Sequence, residues 1–192
     1  MQLNPHCDMS DYLSTLLQAG FALLIGPFQF MDGFRKRKPS VHRWMGRIYL
    51  VSILIGGLSA FIIAPGMISG LVGEVGLLSL AVLWLWTGWN AYSSIRKGDV
   101  KSHREWMIRS FALTFAAATL RLWLGTLIAT QLPFLQTRYS GDFDALFVEV
   151  YRVVMWLSWV PNLIVAEMII QRRRKPQTIS SIGQNSPQTQ NV

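Results

Sequence analysis

Cysteine is all but missing. Cys7 is the only one in 192 residues, so no disulfide forms within the chain, and no Cys/His spacing of the zinc-binding kind is present. Charge is scarce as well: Asp, Glu, Lys and Arg make up 15% of the residues, against about 25% in an ordinary soluble domain. No Lys or Arg precedes Arg35. There is no nucleophile motif and no triad of metal ligands. Together these absences exclude a disulfide scaffold and a zinc module and count against a soluble enzyme. What remains is apolar: 51% of the residues are hydrophobic and the mean hydropathy is +0.31.

The chain is nonetheless basic, with a net charge of +8 and a pI near 10.2. That balance alone would suit nucleic acid. Its distribution does not, because fifteen of the eighteen Lys and Arg fall in three clusters beside apolar segments, Arg35–Arg47, Arg96–Arg109 and Arg172–Lys175. Basic loops next to apolar segments mark the cytoplasmic side of a membrane protein. The partners expected are therefore membrane lipids and not nucleic acid.

A hydrocarbon core about 30 Å thick needs about 20 apolar residues in a helix. Five windows qualify: Tyr12–Met31, Ile48–Ser69, Leu71–Ile95, Trp106–Leu132 and Ala145–Ile170. Basic residues alternate between the connections. Met1–Asp11 has none, the next loop six, the turn at Gly70 none, the following loop five, and the C-terminal tail four. The expectation is an all-α integral membrane bundle of about five transmembrane helices, N-terminus outside and C-terminus cytoplasmic. Its parts are a tail at 1–11, the bundle at 12–171, and a basic, disordered tail at 172–192.

"VHRWMGR" (Val41–Arg47) and "SHREWMIR" (Ser102–Arg109) are near copies, each a His-Arg pair followed by Trp-Met and a further Arg. Both fall where the chain turns back into the bilayer from the cytoplasm, which suggests two similar hairpins plus one helix. Much of this follows from topology alone. Arg43, Arg47, Arg104 and Arg109 suit lipid phosphate, and Trp44 and Trp106 suit the headgroup level. His42 and His103 are no favoured anchors, and their chemistry near neutral pH has other uses.

Ionisable groups within a span are costly and tend to face the protein interior. His103 and Arg121 are 18 residues apart, five whole turns, and so are Glu149 and Glu167. Two antiparallel helices carrying these pairs would set Arg121 against Glu149 as an intramembrane ion pair, and His103 against Glu167. The alternative for Glu149 is a local pair with Arg152. Gln29, Asn90 and Asn162 are expected at the same inner depth, with Pro161 kinking the last span. The candidate pocket is thus His42, His103, Glu167, Gln29, Asn90 and Asn162.

"ALLIGPFQF", "HRWMGRIYLVSILIGGLSA", "RKGDVKSHREWMIRSFALTFAAATLRLWL" and "WVPNLIVAE" together resemble the bacterial predicted-membrane-protein family numbered 2306 in the domain-of-unknown-function series. The likeness covers about Phe21–Ile170. It implies a multi-pass fold in a bacterial plasma or inner membrane and no substrate. The family-like positions are Gln29, His42, Arg43, Arg47, His103, Arg109, Arg121, Asn162 and Glu167, none with a role to transfer. Three functions compete: a non-enzymatic protein binding a small ligand or lipid headgroup in the inner pocket; a b-type cytochrome with His42 and His103 as axial ligands of haem b; and an intramembrane lipid-modifying enzyme using His103 with Glu167.

Overall fold

The computed structural model describes residues 39–184, with side chains from Ser40 to Arg174. It is all-helical over that range. α1 (Pro39–Ile63) and α2 (Gly70–Arg96) form a hairpin. α3 (Val100–Thr114) and α4 (Ala116–Gln131) are two halves of one rising segment. A 3-10 turn (Leu132–Phe134) and α5 (Leu135–Tyr139) cap it, and α6 (Phe143–Leu157) and α7 (Val160–Gln184) bring the chain back. Among the described residues four stretches are long and apolar enough to cross a membrane: Ser40–Ile63, Gly70–Arg96, Val100–Tyr139 and Phe143–Arg174. The first apolar window, Tyr12–Met31, lies outside the described residues.

The boundaries have local causes. α1 starts at Pro39, nine residues before the apolar window expected at Ile48, because the basic "VHRWMGR" motif is itself helical and extends the span. It stops before Pro65 and Gly66, the latter at φ +85°. Gly98 at φ +77° turns the chain after α2, and Asp99 caps α3 by accepting the Ser102 N–H at 2.9 Å. That bond holds the Asp99 carboxyl below the usual carboxylate range. Asp142 caps α6 through the N–H groups of Asp144 and Ala145. α7 continues as helix to Gln184, into the stretch read from sequence as a tail.

Helix approach depends on small residues. A Cβ on Gly57 would stand 2.7 Å from the Leu85 side chain and one on Gly56 3.0 Å from the Trp84 ring, so α1 and α2 close to a distance only glycine permits. α3 packs against α2 and α7, while α4 packs against α6. One buried cluster, Leu113, Ala116 and Trp159, sits where these halves meet; a second, Leu146, Val150 and Val154, joins α6 to α4 and α5. Outside them the surface is apolar, with Ile62 81% and Leu71 74% exposed. Such a surface suits a lipid environment.

The breaks in the two long segments lie side by side. The α3–α4 segment is interrupted at Phe115 and the α6–α7 segment at Ser158–Trp159, just before Pro161. Pro161 cannot donate to the carbonyl four residues earlier, which is why the helix restarts there. The break at Phe115 has no such residue to explain it. Thr119 Oγ1 donates to the Ser158 carbonyl at 2.5 Å, tying one break to the other.

Candidate functional site

The helix directions collect charge at one end. The starts of α1 and α3, the end of α2 and the Arg172–Arg174 run of α7 share it. Arg43, Arg47, Arg96, Lys97, Lys101, Arg104, Arg109 and Arg172–Arg174 make ten cations there, against the acids Asp99, Glu105 and Glu167. The far end carries Arg138 and Arg152 against Glu74, Asp142, Asp144 and Glu149. Trp44, Trp86 and Trp89 are largely exposed toward the basic end, at the level where aromatic rings meet lipid headgroups.

Two ion pairs join α3 to α7 at this end. Arg109 grips Glu167 with both arms, Nε to Oε1 at 2.5 Å and Nη2 to Oε2 at 3.1 Å. The guanidinium also lies over the Trp106 ring, 4.6 Å from its centroid. Arg174 pairs with Glu105. The expected partner of Glu167 was His103, six residues earlier on α3. The antiparallel register is therefore shifted by about 9 Å along the helix axis from the one that equal 18-residue spacings suggested. A bidentate Arg–carboxylate pair is stronger than a His–carboxylate contact, and it fixes this register.

The same shift separates Arg121 from Glu149. Arg121 Nη1 donates to the carbonyl of Ala117 on its own helix at 2.6 Å, while Glu149 accepts from the Tyr139 hydroxyl at 2.9 Å. The intramembrane pair expected from sequence does not form. Arg152, the alternative partner of Glu149, instead donates Nε to the Ser69 carbonyl at 3.0 Å.

His42 is the fourth residue of α1 and His103 the fourth of α3, so the two motifs occupy equivalent places. The His103 Nδ1–H donates to the Ala91 carbonyl of α2 at 2.7 Å. Because a carbonyl only accepts, this bond fixes the tautomer and leaves Nε2 as the acceptor of the neutral ring. Asn90 turns its amide back on the Trp86 carbonyl of its own helix at 2.8 Å. Gln29 lies outside the described residues. Among the described residues no group of three or more His, Cys, Asp or Glu side chains is arranged to hold a metal ion.

Asn162 is not at the basic end. It stands at the paired helix breaks, where its Nδ2 faces the Ser158 carbonyl at 2.9 Å, Thr119 Oγ1 at 3.0 Å and the Ala112 carbonyl at 3.3 Å. Two hydrogens face three acceptors. The carbonyl groups that the breaks remove from helical pairing are met here by a side chain, as burial in an apolar medium requires.

A second polar cluster joins α1, α2 and α3 between that node and the basic end. Thr114 gives its hydroxyl proton to the Ser110 carbonyl and accepts from Trp84 Nε1 at 3.0 Å. Tyr49 OH lies 2.8 Å from Thr114 Oγ1 and 2.9 Å from Ser110 Oγ. The arrangement closes if Tyr49 donates to Thr114 and accepts from Ser110. Tyr49, Trp84 and Thr119 were not among the residues expected from sequence. The signal was there: Tyr49 and Ser110 each follow their motif's histidine by seven residues, so equal depth in two parallel helices brings them together.

Comparison with known proteins adds one match. The family model described as Predicted membrane protein (DUF2306) covers residues 15–170. No curated protein and no solved structure matches the chain.

Proposed function

The chain belongs to the DUF2306 family of predicted membrane proteins, and from that premise we propose that it spans a bacterial plasma or inner membrane with its basic end in the cytoplasm, where it binds anionic lipid headgroups. The observation that carries this reading is the ten-to-three excess of cations at one end beside exposed Trp44, Trp86 and Trp89. Glu105 and Glu167 are engaged by Arg174 and Arg109. Arg43, Arg47 and Arg96 have no carboxylate partner among the described residues, and lipid phosphate is an anion that suits them. Arg109 is engaged with Glu167 and lies over the Trp106 ring, so within this reading the two organise the site and the exposed arginines make the contact.

Two measurements test it. A cysteine introduced by Arg173→Cys in a Cys7→Ser background should react with a membrane-impermeant thiol reagent only when the cytoplasmic face is open. In reconstituted protein, spin-labelled phosphatidylglycerol should be retained at the protein surface over phosphatidylcholine, with the preference lost in Arg43→Gln/Arg47→Gln/Arg96→Gln. Labelling from the outer face, or an unchanged preference in the triple variant, overturns the reading.

A second reading has one observation in its favour. The His103 ring is held through Nδ1–H on a backbone carbonyl, the way proteins orient an imidazole that ligates through Nε2. Haem b between His42 and His103 would use that nitrogen. A Soret band in purified protein that disappears in His103→Ala would establish it; a colourless, folded preparation would dispose of it.

A further inference from the structure

The likeness between the two His-Arg motifs continues into the residues before them. A shift of 61 residues lays His42-Arg43 on His103-Arg104, Arg35-Lys36 on Arg96-Lys97, Gln29 on Asn90 and Leu24 on Leu85. The apolar window 12–31 then falls on 73–92, inside α2. Past the motif the Trp-Met pairs sit one residue out of this alignment, Glu105 being extra, yet Tyr49 meets Ser110, its counterpart at 61 residues. In sequence, the window is to α1 what α2 is to α3.

The structure has the matching symmetry. When two parallel repeats are related by a twofold axis along the membrane normal, counterparts that touch each other lie on that axis, and Tyr49 OH stands 2.9 Å from Ser110 Oγ. α2 has a neighbour on each side. It closes on Gly56 and Gly57 of α1 through Trp84 and Leu85, and it holds α3 through the Ala91 carbonyl on His103 and Trp84 Nε1 on Thr114. The rotation that takes α1 to α3 gives the counterpart of α2 the same two neighbours. They are α1 in place of α3, and the α3–α4 segment in place of α1.

Both of those faces are open. Leu113 of α3 is 2% exposed, in the cluster that Leu80, Leu83 and Trp84 of α2 cover, whereas its counterpart on α1, Ser52, is exposed. Gly56 and Gly57 of α1 correspond to Ala117 and Ala118 of α4, the first exposed and the second half-buried. Small residues thus recur where the symmetry requires a close approach. The chain before α1 has the right reach. The window ends seven residues before Pro39, and seven residues extend to about 25 Å at most, so its end stays near the start of α1 at the basic end.

We infer that the window 12–31 covers both faces, running antiparallel to α1 and lying against Ala117 and Ala118, so that a four-part bundle closes around Tyr49 and Ser110. Leu24 meets Ala118 as Leu85 meets Gly57. The Phe30 carbonyl stands beside the His42 ring as that of Ala91 stands beside His103, and Gln29 comes to the level of Asn90.

The test uses the full chain in its membrane, with Cys7→Ser and introduced cysteine pairs oxidised by copper phenanthroline. Leu24→Cys/Ala118→Cys should form a disulfide within one chain, read by mass spectrometry as two joined tryptic peptides in protein that runs as a monomer on a non-reducing gel. Ser52→Cys should do the same with Ala19→Cys or Ala22→Cys, the counterparts of Leu80 and Leu83. Leu24→Cys/Leu58→Cys is the control: Leu58 is next to Gly57 but 53% exposed, on the other side of α1, and should give no link. Absence of a link at either face overturns the proposal, as does an equal yield from the Leu58 pair. Links found only between two copies, seen as a band of twice the mass, also overturn it and assign the faces to a second copy of the chain.

Discussion

Two arginines on one rising segment, twelve residues apart, meet opposite treatment. At the basic end Arg109 has a carboxylate in both arms and an indole face beneath it. Toward the far end Arg121 has one backbone carbonyl. Between them the polar groups are neutral and satisfied by one another: Tyr49, Ser110, Thr114 and Trp84 in one cluster, Asn162, Thr119 and the Ser158 carbonyl in the other. Trp159 Nε1, in the buried cluster between them, has no partner, and Arg121, like Arg152 on α6, meets a backbone carbonyl and no carboxylate among the described residues. That contrast separates residues that hold the bundle together from one that does not.

Substitutions on either side of the contrast should sort accordingly. The largest loss is expected for Asn162→Leu, which strands the Ser158 and Ala112 carbonyls at the breaks and should cost about 2–3 kcal/mol, read as a fall in thermal stability of purified protein. A double-mutant cycle on Arg109→Ala and Glu167→Ala comes next. Because the Glu167 side chain is 38% exposed, solvent screening reduces the coupling to about 1–2 kcal/mol; additive losses would show that the pair contributes nothing. Tyr49→Phe removes one hydroxyl and should cost about 1 kcal/mol, with no change in lipid preference.

The smallest effect is electrostatic and lies outside the membrane. Asp99 has its carboxyl held below the ordinary range by the Ser102 N–H. A carboxyl with a depressed folded-state pKa adds stability above its unfolded-state value, and that contribution is lost as pH falls through the folded-state value. Stability should therefore decline on acidification below the usual carboxylate range, and Asp99→Asn should reduce that decline. Identical acid profiles for the two proteins would remove the cap from the account.

Much of the architecture was legible in the sequence because lipid imposes it. Apolar length gave the spans at Leu71–Ile95, Trp106–Leu132 and Ala145–Ile170 to within a few residues at most boundaries, and Pro161 marked the break before α7. Register was not legible. An 18-residue spacing fixes which face a residue occupies but not how far one helix slides past another, and a six-residue slide exchanged His103 for Arg109 opposite Glu167. Nor did the sequence announce the break at Phe115, which has neither Pro nor Gly and lies beside the buried cluster of Leu113, Ala116 and Trp159. Asn162 was recognised as polar and interior, but its depth followed from the break it serves.

The comparison is tested most directly by replacing each arginine with leucine and measuring thermal unfolding in the same detergent. Arg109→Leu leaves Glu167 without its partner, and Tm should fall by several degrees, at about 2–4 °C per kcal/mol for a chain of this size. Arg121→Leu removes a charge that no side chain compensates, and Tm should stay level or rise. A fall for Arg121→Leu as large as that for Arg109→Leu would mean that Arg121 is part of the framework, and the distinction between the two regions would be wrong.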